Sequence, residues 1–365
     1  MDPFASSPCF LPPSLPPSIT PSLPPNQDLR SADAMALHAA LERNGTSFVR
    51  TASPRGPDAG YLSMDGQRRE KFLVIDARPQ LSARANQAAR GMGFENTPQY
   101  KQVCRVLFMG VSNIHVIRKS WDALEVLCRR REGEGGGFGM QVENTRWLFH
   151  LHKVLAGALL IAHLMHHHGV SLLVHCSDGW DRTAQLCATA QLLMDPFYRT
   201  LTGFQALIHK DWVAFGHNFT RRNGLDRQGY ASNERAPIFV QWLDVVHQIL
   251  RQFPNRFQFT EGLLLFLARH AHAGWTGDFL YNCERERTEA RVTERSISIF
   301  ALIDANRHRF LNPAYQSSSS ASSSSSLLTP VTSSKRLVLW EAYFFSWQTE
   351  LYELAWRQGT GHLPA

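Results

Sequence analysis

Cys176 and Arg182 are the two residues whose types and spacing carry the most chemistry. They bracket the run His175-Cys176-Ser177-Asp178-Gly179-Trp180-Asp181-Arg182-Thr183. The apolar residues Leu172, Leu173 and Val174 precede it, and a helical pattern of Ala184, Leu186, Ala188 and Leu192 follows. In the order strand, tight loop, helix, the backbone N–H groups of the loop point inward and bind the oxygens of an anion such as phosphate. A cysteine at the base of such a loop is drawn toward its thiolate by the helix dipole and by a neighbouring arginine, which makes it a nucleophile. The planar fork of Arg182 suits two oxygens at once, and Gly179 suits a loop that must bend sharply and approach its ligand. A cysteine and an arginine at this spacing are common by chance, and the plain alternative is a buried thiol near a surface arginine. The strand-like run, His175, Gly179 and the following helix together favour the phosphate cradle.

The remaining elements must hold this loop in place. Phe72-Leu73-Val74-Ile75-Asp76 is a continuous apolar run ended by Ala77-Arg78-Pro79, as expected of a strand buried on both faces of a parallel sheet. Its C-terminal end is where α/β folds gather ligand groups. Asn86 to Phe94, with Gly91 and Gly93, reads as a loop. Val106 to Val111 reads as a second strand, followed by a helix over Ile117–Arg131 and a Gly-rich loop from Gly133 to Gly139. Trp147, Leu151, Val154, Leu155, Ala158, Leu159, Ala162 and Met165 keep helical spacing, which predicts one long helix from Thr145 to His168 under the catalytic strand. His166, His167 and His168 close it; consecutive histidines point in different directions and no Cys or carboxylate lies at ligand spacing, so no metal is expected. Further helical patterns cover Phe204–Trp212, Pro237–Phe253, Leu263–Ala271 and Leu337–Trp356, and Phe215 to Gly224 reads as a polar, basic loop. The whole predicts an α/β domain with a largely parallel sheet flanked by helices.

With 365 residues, 44% of them apolar, the chain can bury a substantial core. Residues 1–45 read as a disordered tail rich in Pro and Ser, 46–365 as the folded domain, and 316–335 as a flexible serine-rich loop. A net charge of +7 favours an anionic partner. The basic residues are scattered, which argues against nucleic acid. The six cysteines show no paired spacing, and a nucleophilic thiol needs a reducing compartment, so a cytoplasmic setting is expected. The most apolar stretch, Val154 to Ala162, is too short to span a bilayer, so membrane contact should be peripheral.

The run HCSDGWDRTAQ resembles the active-site signature of the myotubularin phosphoinositide phosphatases, and its two aspartates and tryptophan set it apart from protein tyrosine phosphatase loops. The resemblance extends from about Phe72 to Tyr315 through Asp76-Ala77-Arg78-Pro79, Asn113-Ile114-His115-Val116, Tyr198-Arg199-Thr200, Phe215-Gly216-His217, Arg251-Gln252-Phe253-Pro254 and Asn312-Pro313-Ala314-Tyr315. It implies a cysteine-phosphatase-like fold with a central mixed, largely parallel sheet. It also implies removal of the 3-phosphate from phosphatidylinositol 3-phosphate and phosphatidylinositol 3,5-bisphosphate, without a cofactor or metal. Carried over to these positions, Cys176 is the nucleophile and Arg182 the phosphate clamp. The amides from Ser177 through Asp178, Gly179 and Trp180 to Arg182 hold the phosphate, Asn86, Asn113 and Ile114 line the pocket, and Arg222 lies near the inositol head. No Trp-Pro-Asp motif occurs, so the resemblance gives the general-acid role to Asp181, with Asp178 placed to meet inositol hydroxyls. The expected setting is the surface of endosomal-type membranes, and the resemblance admits homo- or hetero-oligomers with related phosphatases.

Three departures from the family pattern stand out. Asn218 occupies a position where relatives often carry arginine, with Arg221 as a substitute. The PH-GRAM domain and part of the amino-terminal portion of the catalytic domain have no counterpart here, as expected of a minimal form or a partial chain. The Gly-rich loop and the serine run look peculiar to this chain. Two competing readings are a catalytically silent scaffold that binds phosphoinositide or a partner phosphatase, and a phosphatase for phosphoproteins. The first is disfavoured by the intact Cys176 and Arg182, the second by the carboxylates of Asp178 and Asp181.

Overall fold

The computed structural model describes residues 61–62, 68–70, 72–90, 104–129, 137–226, 232–317 and 327–346. The amino-terminal tail and most of the serine run lie outside the described residues. Two short strands, β1 (Tyr61–Leu62) and β2 (Arg68–Glu70), form an antiparallel pair. The site rests on a separate parallel sheet of β3 (Phe72–Asp76), β4 (Cys104–Phe108) and β5 (Leu172–His175), in the order β4-β3-β5. The architecture is α/β and rich in helix, as expected; among the described residues the central sheet is wholly parallel, and its antiparallel pair stands apart.

The central strand has the composition its place requires: Leu73, Val74 and Ile75 are buried, and β-branched residues pack well on a pleat covered on both faces. The edge strand β5 is only half covered, and Leu173 points to solvent. At the C-terminal end of the sheet, Ala77 N–H donates to the His175 carbonyl at 2.8 Å, and Val111 N–H to the Ala77 carbonyl at 2.8 Å. These bonds run the loops after all three strands side by side. Asp76 and Arg78, both buried, lock the turn after β3: the guanidinium Nε donates to Oδ1 at 2.9 Å and Nη2 to Oδ2 at 2.7 Å.

Several helices differ from the sequence expectation. Residues Asn86 to Arg90 belong to helix α1 (Gln80–Arg90), since no breaker occurs before Gly91, so the expected loop there is corrected. Helix α2 (Ile114–Arg129) starts earlier than expected because the Asn113 side chain caps it, accepting from Val116 N–H at 3.1 Å. The long helix expected from Thr145 is two: α3 (Phe138–Thr145) and α4 (Trp147–His168), separated by Arg146 in a left-handed conformation at φ 63°. Helix α4 is long and apolar enough to cross a membrane, a correction to the shorter stretch above. It is buried within the fold along most of that length.

Helix α4 packs on α5 (Arg182–Met194), which carries the phosphate loop, and both lie against a third helix, Ile238–Gln252. The helices meet closely at Gly157, where a Cβ would sit 2.9 Å from Leu186 Cδ2. Asp244 ties this third helix to α4: it accepts from Trp147 Nε1 of α4 and, within its own helix, from Gln248 Nε2, each at 2.8 Å. The segment 327–346 packs back onto this body, with Trp340 stacked on His247 and donating to Glu261 at 2.7 Å. Only one helical turn, Glu341–Phe344, occurs there.

Candidate active site

Cys176 follows directly on β5 and is buried, while Ser177 and Asp178 at the crest of the loop are exposed. Gly179 turns the chain at φ +93°, a conformation that L side chains rarely adopt, and its N–H donates to Cys176 Sγ at 3.3 Å. The thiol therefore lies inside the curl of its own loop. Arg182 opens α5, and its Nη2 donates to Ser177 Oγ at 3.1 Å, so guanidinium and loop crest are already joined. Elsewhere in the fold, burial pushes the thiols of Cys128 and Cys187 up to about 12, keeping both protonated and inert at neutral pH.

Asp181 sits at the position before α5, where an aspartate ordinarily turns its carboxylate onto the first N–H groups of its helix. Here it makes no such bond. The carboxylate is held by Arg222, whose Nη2 donates to Oδ2 at 2.8 Å and whose Nε lies 3.2 Å from each oxygen, and His217 Nδ1 lies 3.1 Å from Oδ1. Arg222, on the single helical turn Phe219–Arg222, also donates from Nη1 to Glu234 Oε2 at 2.9 Å. The amides of the first turn of α5 therefore have no carboxylate from Asp181 upon them and stay available to an anion, on the positive end of the helix dipole.

The electrostatics of Asp181 follow from these contacts. Burial alone would push the carboxyl up, but the hydrogen bond and charge of His217, followed by Arg222, hold it at about 2. Asp181 is thus an ionised acceptor at neutral pH. Arg222 is raised by the same pair.

The structure places the expected residues as follows. Cys176, Ser177, Gly179, Asp181, Arg182 and Arg222 converge on one loop, although Arg222 is buried against Asp181 and Glu234 and faces these carboxylates. Asp178 is exposed on the loop crest, and Trp180 lends its carbonyl to His217 at 2.9 Å. Asn113 and Ile114 stand at the same C-terminal end of the sheet, after β4, where Asn113 is engaged as a helix cap. Asn86 lies within α1. Asn218 is buried and Arg221 exposed. Among the described residues no group of three or more His, Cys, Asp or Glu could hold a metal ion.

His217 and Glu234 were not singled out from the sequence. The signals for His217 are its place in the polar, basic loop and in Phe215-Gly216-His217, one of the pieces that match the family pattern, and neither marks its contact with Asp181; Glu234 carries no local signal.

The myotubularin-like phosphatase domain family matches residues 23–288, most of the chain and all of the loop described above. The chain belongs to this family. Among myotubularin relatives, it is similar to the phosphatidylinositol-3,5-bisphosphate 3-phosphatase MTMR4 of Mus musculus, 42% identical over 275 residues, which are 75% of this chain and 22% of that protein. Myotubularin of Xenopus laevis is 36% identical over 319 residues, covering 84% of this chain and 52% of its own length. Myotubularin of Rattus norvegicus is 37% identical over 317 residues, covering 86% and 51%. The chain spans about half the length of these myotubularins.

Proposed function

We propose that this chain is a phosphoinositide 3-phosphatase acting on phosphatidylinositol 3-phosphate and phosphatidylinositol 3,5-bisphosphate, through Cys176 as nucleophile. The observation that carries the reading is the loop itself: a buried cysteine within its own curl, an arginine joined to the loop crest, and a helix start whose amides the adjacent aspartate leaves open. The similarity to MTMR4, a phosphatidylinositol-3,5-bisphosphate 3-phosphatase, supports the substrate class.

In this reading the Cys176 thiolate attacks phosphorus in line; a P–S bond forms, the bond to the inositol 3-oxygen breaks, and the departing oxygen takes a proton. Water then attacks the cysteinyl phosphate, releasing inorganic phosphate and restoring the thiolate. Arg182 and the amides of residues 177–182 balance the charge on the transferring group. Asp181 is the carboxylate assigned to the leaving oxygen. It is ionised in the free protein; the proton it passes to the leaving oxygen enters with the substrate phosphate as its monoanion, and in the second step the carboxylate takes up the proton that the attacking water loses. Asp178, at the exposed crest, meets inositol hydroxyls. The protein works in the cytoplasm as a peripheral enzyme on endosomal-type membranes, alone or paired with related phosphatases.

The test is phosphate release from a panel of short-chain phosphoinositides by the purified chain. Release from the 3-phosphorylated lipids, lost in Cys176→Ser, is expected; lipid binding without release would favour the silent scaffold.

A further inference from the structure

His217 is 1% exposed and, apart from its hold on the Asp181 carboxyl, has no part in the chemistry described so far. It lies just after a π-helical turn, His209–Ala214, a geometry often found at functional sites. Its backbone N–H donates to the Trp212 carbonyl at 3.0 Å, and its ring sits edge-on between Trp212 and Phe219, each 4.8 Å away between ring centres. These contacts pack the buried ring between two aromatic neighbours. One nitrogen, Nδ1, lies 2.9 Å from the Trp180 carbonyl and 3.1 Å from Asp181 Oδ1. Both are acceptors, so Nδ1 carries a hydrogen and shares it between them.

The backbone and side-chain oxygens it touches belong to consecutive residues, the last two of the loop before α5. An aspartate before a helix has a competing option, which is to fold its carboxylate onto the N–H groups of Thr183 and Ala184. That option would place a negative group in the space a substrate phosphate takes. We propose that His217 is a positioning residue of the phosphate site: it fixes the Trp180 carbonyl and the Asp181 carboxylate through one ring nitrogen, and so keeps that carboxylate off the helix amides. Arg222 draws the same carboxylate from the other side. The proposal rests on the phosphate-cradle reading and adds the device that keeps the cradle open.

Binding of orthovanadate, a phosphate mimic, tests it without relying on turnover. His217→Leu fills similar space without the donor and should weaken orthovanadate binding about five- to tenfold, the size of the competition a helix cap can offer. His217→Asn, whose amide reaches the place of Nδ1, should restore binding to within about twofold, whereas His217→Gln, which reaches the place of Nε2, should not. If His217→Leu fails to fold, the Asn and Gln pair decides alone. Equal orthovanadate affinity in all variants, or equal loss in Asn and Gln, overturns the proposal. Orthovanadate binding by the parent chain without phosphoinositide turnover would refute the proposed function and leave this inference standing; no orthovanadate binding by the parent refutes both.

Discussion

Replacing Arg222 by methionine removes the cation from a buried pair while keeping much of its apolar stem. The pair is deep: the side chains of Arg222 and Asp181 are 5% and 10% exposed. Taking away one partner of such a pair leaves an uncompensated charge and costs about 3–5 kcal/mol. The sign with pH follows from Asp181, whose carboxyl is held at about 2 against an ordinary 3.8. A carboxyl depressed in the folded state contributes stability that is present above its unfolded value and is lost as pH falls toward 2. The shift corresponds to about 2–3 kcal/mol at neutral pH. In Arg222→Met burial gains weight, the carboxyl rises, and the folded variant takes up a proton at a pH where the parent does not. Urea denaturation of both proteins between pH 4 and 7 should therefore show the variant less stable by about 3 kcal/mol or more at pH 7, with the gap narrowing toward pH 4. Adding Asp181→Asn to the variant should recover part of the loss, giving a coupling well above 1 kcal/mol by double-mutant cycle. A gap under about 1 kcal/mol at pH 7, or one independent of pH, would refute the assignment of a buried, ionised Asp181 held by Arg222.

Three further outcomes are expected. Gly179→Ala should cost about 1 kcal/mol of stability, because φ +93° is strained for any side chain, yet reduce phosphate release far more, since the same turn aims its N–H at Cys176; thermal unfolding and turnover measured side by side separate the two. Asp244 is pushed up to about 7 by burial, against two hydrogen bonds that pull it back. Its stabilising contribution is therefore complete below about pH 4 and is lost as pH rises to 7, so the fall in stability between pH 5 and 8 should flatten in Asp244→Asn, as followed by denaturation across that range. Cys128 and Cys187, buried thiols at about 12, should resist iodoacetamide at pH 7 under conditions that alkylate Cys176.

Local pattern carried much of the site. The run Phe72 to Asp76 is the central strand with the bounds expected, because four consecutive apolar residues, two of them β-branched, followed shortly by Arg78-Pro79 suit a doubly covered strand and little else. The phosphate loop was legible because its strand, turn glycine and helix are contiguous. What escaped was either long-range or locally unmarked. Arg222 and Asp181 are 41 residues apart, and nothing near Arg222 tells that its guanidinium faces a carboxylate. The break between α3 and α4 falls at Arg146, a residue that carries no turn signal although it adopts a left-handed conformation. Gly91 and Gly93 suggest a loop beginning at Asn86, yet Asn86 belongs to the helix Gln80–Arg90, whose own residues contain no glycine or proline.

In the proposed reaction Cys176 carries the phosphoryl group during turnover. Acid quenching of the chain mixed with short-chain phosphatidylinositol 3-phosphate, followed by mass analysis of the peptide containing Cys176, reads this directly. One phosphoryl group on that peptide in the parent, and none in Cys176→Ser, is the predicted result. Phosphate release by the parent that persists in Cys176→Ser, with no phosphoryl group captured on the peptide, would contradict it.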